Sequence, residues 1–124
     1  MTIETSRADI ARFKQAAQAG RIQFDPAAAR RCAEMYHLQA DRLLYLQQRL
    51  ESAEELDGFG EFVSAQQLQA GFRHKAKDAA ALLDHYIAAA YQLQEAFLIS
   101  GGLLEEADAA GAAALRAIET RLSR

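Results

Sequence analysis

The chain has no tryptophan, one cysteine and one proline in 124 residues. A lone Cys32 cannot close an internal disulfide, so the fold does not rest on oxidation. A lone Pro26 leaves room for long uninterrupted helices. Aromatic residues make up only 8% of the chain, so a large aromatic core is excluded. No apolar run reaches the roughly 20 residues needed to span a bilayer, and membrane insertion is not expected. The first residues lack both a continuous apolar core and a small-residue cleavage site, so no cleaved signal peptide is expected. Positive charge is not in excess either. A net charge of −3 argues against a nucleic-acid binder, which carries a basic surface.

What is present is helix-forming. Half the residues are apolar, and Ala, Leu, Gln, Arg and Glu dominate, all of them good helix formers. Glycine pairs and capping residues divide the chain. Ser6 and Asp9 open a short first helix, with Ile10, Phe13 and Ala17 on one face, and Gly20 stops it. Arg21 to Phe24 reads as an extended link. Asp25 is an N-cap with Pro26 at the first helical position, where its missing amide costs nothing. The second helix is expected to run to about Glu55.

The stretch from Leu56 to Ser64 is the expected turn, with Gly58 and Gly60 free to take backbone angles closed to other residues. Ser64 and Gln67 have the spacing of a capping box, and Val63 and Leu68 that of a hydrophobic staple. A third helix follows. Ser100-Gly101-Gly102 interrupts its composition, but Phe97, Leu104, Gly111 and Ile118 keep a spacing of seven across the break. That phase predicts one helix to about Arg121, with a soft point at 100–102. The domain plan is an arm and link at 1–24 and a hairpin at 25–124.

The expected seam of the hairpin runs through Cys32, Tyr36, Gln39, Leu43, Leu46 and Leu50, against Leu68, Phe72, Ala79, Leu83, Tyr86 and Leu93. Met35, Leu38, Tyr45, Ile87, Tyr91 and Leu98 lie off that seam as a second apolar stripe. Extra stripes point to a partner surface, and four-helix packing of two hairpins is the simplest solution. Cover by the N-terminal helix is the alternative. The fold class is therefore all-α: an antiparallel helical hairpin with a short N-terminal helix, completing a four-helix bundle on dimerisation.

Chemistry-bearing residues are sparse. His37 with Asp41 and His74 with Asp78 are spaced to share a helix face. Folding the hairpin near residue 61 brings His37 and Asp41 level with Asp84 and His85, a conceivable metal site between bundle helices. Solvent-exposed ion pairs are the simpler reading. Cys32 lies beyond the first turn of its helix, where the helix terminus no longer activates a thiol. No catalytic set, cofactor or resident metal is expected.

The layout of two long helices joined at Gly58-Phe59-Gly60-Glu61-Phe62 resembles the WXG-type, early-secreted-antigen-like proteins of type VII secretion in actinobacteria. Phe59 or Phe62 takes the place of that family's turn tryptophan. Leu104 and Asp108 take the places of its Tyr-x-x-x-acid export signal. The resemblance implies a homodimer, or a heterodimer with a sister helical hairpin, recognised by a secretion ATPase or exported beside a larger effector. It implies a protein that is cytoplasmic before export and secreted without a cleaved signal peptide. Phe59, Gly60, Phe62, Leu104 and Asp108 are then the recognition residues. A helical adaptor that stays in the cytosol is the rival reading.

Overall fold

Asp25 and Pro26 start a helix as their chemistry requires. The Asp25 carboxylate accepts from the amide of Ala28 at 3.1 Å, and the helix begins at Pro26. In the computed structural model, residues 3–53, 55 and 57–122 are described. They form α1 (Ile3–Gln18), α2 (Pro26–Ala53), α3 (Val63–Ser100) and α4 (Leu104–Leu122). Thr2, Glu54 and Leu56 lie outside the described residues, as does the side chain of Leu122.

α1 stops where Gly20 takes a φ of 73°. The amides of Gly20 and Arg21 reach back to the carbonyls of Ala17 and Ala16, which closes the helix in a Schellman turn. α3 begins at Val63 after an N-cap at Phe62 that makes no side-chain capping bond. The expected capping box at Ser64 is thus replaced by a backbone start, the amide of Gln66 donating to the Phe62 carbonyl at 3.0 Å. Val63 and Leu68 are both exposed and form no buried staple.

The chief correction is at 100–103. The third helix does not continue; it ends at Ser100 and the chain reverses. Gly102 has a φ of 72°. The amide of Leu103 donates to the Leu98 carbonyl and that of Gly102 to the Ile99 carbonyl, both at 2.9 Å. This is again a Schellman turn, with Leu103 packed near Leu98 as its apolar contact. Gly101 is required for a different reason. A Cβ there would lie 2.5 Å from that of Ala29 and 3.4 Å from the Pro26 Cα. The start of α2 crosses too close to admit a side chain.

With α4 folded back, the two-helix hairpin becomes an up-down-up-down bundle of four helices within one chain. α3 is its centre, and α1, α2 and α4 each pack on it. α1 runs parallel to α3, with Arg7 bonded to His85 and Lys14 paired to Glu95 at 3.1 Å. α4 runs antiparallel, and Ala107 and Ala110 join Ala33 and Leu98 in one buried cluster. Arg30 on α2 holds Glu106 on α4 at 2.8 Å. At the shared end, Phe97 meets Phe13 edge-on at 4.9 Å, and stacks with Phe24 and Tyr36 at 5.8 and 5.7 Å. The amide of Phe24 donates to the Ser100 carbonyl at 2.8 Å, tying the α1–α2 link to the end of α3.

These contacts overturn the expectation that a second hairpin completes the bundle. The helices that cover α3 come from the same chain, so neither a homodimer nor a sister hairpin is needed to form it. The WXG-type resemblance rested on a two-helix layout and fails with it, and the type VII and actinobacterial associations lose their support; the fold does not bear on a secretion ATPase or a larger effector as partner.

α1 and α4 cover only part of α3. Arg7 and Ile118 stand level with His85 and Gln92, and each helix ends within about one turn beyond them. The rest of α3, towards Val63, projects as an arm with the end of α2 and residues 57–62 beside it. Phe59 folds onto Phe72, ring centroids 6.1 Å apart.

Candidate interaction surface

The helix spacing places each side chain around the α2–α3 pair. The contact line is made of small residues: Ala29, Ala33 and Ala40 on α2, and Ala76 and Ala80 on α3, all buried. Small side chains let the helix axes approach near the lower limit of about 8 Å. Ile87, 1% exposed, and Leu98 complete the line. The sequence pattern places these last two on the second apolar stripe, so on α3 the contact line lies near that stripe.

One polar pair sits inside the contact line. The side-chain amide of Gln47 donates to the Asp84 carboxylate at 2.6 Å and to the Ala80 carbonyl at 2.9 Å, with both side chains buried. A buried carboxylate without a donor is costly, so Gln47 fixes the register of the two helices at this level. The sequence contained the signal, an Asp with Ala80 four residues before it and a Gln seven residues after Ala40. It is overlooked when only large apolar residues are traced.

On the side of the pair taken by α4, Arg30 meets Glu106, and Tyr91 lies among Asp41 and Arg116. Burial raises the Tyr91 phenol above its ordinary range, Asp41 adds to this and Arg116 opposes it. The hydrogen bond from Arg30, aided by its charge, holds the Glu106 carboxyl below the usual glutamate range.

The opposite side carries the stripe first expected as the seam. At about 100° per residue, Leu43, Leu46 and Leu50 on α2 lie roughly 50–110° round from the contact line. Leu83, Tyr86 and Leu93 on α3 are offset by a similar angle in the same spatial sense, because the helices are antiparallel. The two stripes therefore meet as the walls of one groove. Leu43, Leu50, Leu83 and Leu93 are half-buried in it, while Leu46 and Tyr86 are 47% and 48% exposed. Towards the tip, exposed Phe72 and Leu68 extend the stripe along α3. At the other end the rings of Phe24, Tyr36 and Phe97 close it. From Leu93 to Leu68 the stripe is about 38 Å long.

The remaining predicted residues are scattered. Phe59 is half-buried at the tip, Gly60 has a φ of 102°, and Phe62 is 81% exposed. Leu104, 62% exposed, and Asp108 stand on the first two turns of α4. The tip and α4's start are separated by the length of α3, about 56 Å, so the fold does not bring these two groups together. Asp108 instead borders a cleft with Lys14, Glu95 and Gly111.

His37–Asp41 at 3.7 Å and His74–Asp78 at 3.4 Å are separate pairs on helix surfaces. Among the described residues no group of three or more His, Cys, Asp or Glu is placed to hold a metal. Cys32 is half-buried. No described helix is long and apolar enough to cross a membrane. Comparison with known protein families, curated proteins and solved structures gives no match.

Proposed function

We propose that this chain is a non-catalytic helical adaptor that acts by protein–protein contact along the open groove between α2 and α3. One observation carries the reading. A stripe of large apolar residues lies outside a contact line that alanines and the Gln47–Asp84 pair already complete. Leu46, Tyr86, Phe72 and Leu68 are not needed to close the fold, yet they stand in one row. Contiguous exposed apolar surface of this kind marks an interaction site. The role at the Leu104 and Asp108 positions is set aside, because it rested on the two-helix layout.

The test is site-specific photo-crosslinking in the native host. A photoreactive residue at position 46 or 86 is expected to trap one discrete partner, and at Glu34 or Arg116, away from the groove, to trap none. Adducts of the same pattern at all four positions, or none at 46 and 86, would overturn the reading.

A further inference from the structure

We infer that the occupant of the groove is a single amphipathic helix of another protein, bearing an apolar stripe bordered by acidic residues. The inference rests on the adaptor reading and names its partner.

Shape is the first argument. Two packed antiparallel helices leave a concave channel on each side, and a channel of that form receives a helix. On the other side the molecule sets a helix of its own beside the pair. Near its start α4 lies against α3 and reaches α2 through Ala33 and the Arg30–Glu106 pair. A flat bilayer meets only the rims of a channel.

Charge is the second argument. None of the groove positions Cys32, Tyr36, Gln39, Leu43, Leu46, Leu50, Leu68, Phe72, Ala79, Leu83, Tyr86 or Leu93 holds a carboxylate. Arg42 and Lys75, both exposed, follow at helical spacing on the two outer rims, one from each helix. Arg49 continues the α2 rim and lies 6.0 Å from the Tyr45 ring. A second copy of this chain would set a basic-rimmed face against the same face, because a two-fold interface is self-complementary. Like charges would then meet across that interface. Acidic flanks on a foreign helix meet both rims favourably.

The test uses the full chain and two synthetic helical peptides of about 25 residues. They share one leucine stripe; one peptide has glutamate borders and the other lysine borders. Binding is read by fluorescence anisotropy at low salt, against wild type and an Arg42→Glu/Lys75→Glu double variant. Both substituted residues are exposed, so the variant is expected to fold, which circular dichroism checks. The acidic peptide is expected to bind wild type at least tenfold tighter than the basic one, with the preference lost or reversed in the variant. Equal binding of both peptides, or a preference that survives the charge swap, would overturn the inference. So would stronger binding to anionic lipid vesicles, or self-association of the chain that Leu46→Arg abolishes. Those outcomes leave the adaptor reading standing if crosslinks at 46 and 86 are found in cells. Binding of neither peptide overturns the inference, and the absence of crosslinks as well removes the adaptor reading.

Discussion

Gly101 and Gly102 are adjacent and do different work. Gly102 supplies a left-handed backbone angle, which costs another residue about 1–2 kcal/mol. Gly101 has an ordinary φ of −91° and is there because Ala29 leaves no space for a methyl group. Gly101→Ala is therefore expected to destabilise the chain by about 1–3 kcal/mol through overpacking, in spite of alanine's better helix propensity. Thermal or urea unfolding measures this. The double variant Gly101→Ala/Ala29→Gly should recover a large part of the loss, since it removes the methyl group from the other side. No recovery would mean that the close approach is not the cause. The turn itself was legible as a break in composition. Its depth was not, because the seven-residue spacing across it is coincidental: Leu104, which keeps the phase, is exposed.

At the scale of helices, alanine decides which faces meet. Large apolar residues traced a heptad seam on α2 and α3, but the tight contact lies along Ala33, Ala40, Ala76 and Ala80. Close backbone approach and packed small side chains contribute dispersion at every turn, and they leave the leucines to line the flank. The groove residues were therefore legible in the sequence as one coherent stripe, while their role was not. α4 is joined to α2 by a surface pair with a defined pH response. The Glu106 carboxyl is held below its usual range by the Arg30 hydrogen bond, so its contribution is present at neutral pH, above the unfolded-state pKa. It is lost as pH falls through the depressed folded-state pKa. Arg30→Gln should thus lower stability slightly at pH 7, and the gap from wild type should close in acid. NMR titration should also show the Glu106 midpoint moving up to the ordinary range in the variant. An unmoved midpoint would remove the pair as the cause.

For the molecule as a whole, the bundle closes within one chain, and folding does not wait for a partner. Its thermal midpoint is expected to be independent of protein concentration from about 1 to 100 μM, whereas an obligate dimer would shift upward by mass action. Scanning calorimetry across that range decides it. Hydrogen exchange should report two levels of protection. Amides of α3 from His85 to Ser100, enclosed by three helices, should exchange more slowly than those from Val63 to Gln69 on the projecting arm. Uniform protection along α3 would contradict the division into a covered bundle and an open arm.

The sequence by itself determined what local chemistry determines. Helix-forming composition made the chain all-α. Asp25 with Pro26 fixed the start of α2, Gly20 fixed the end of α1, and Gly58 and Gly60 marked the long turn. Each of these is a property of a few neighbouring residues and their own backbone angles. Only the tertiary structure decided that α4 folds back on α3, that alanines rather than leucines form the contact line, and that the leucine stripes face outward together. Those outcomes depend on how closely two helices approach, and that distance is set jointly by residues far apart in the chain, such as Ala29 with Gly101 and Gln47 with Asp84. A periodicity on one helix records an apolar face, but it does not record which neighbour comes to cover it.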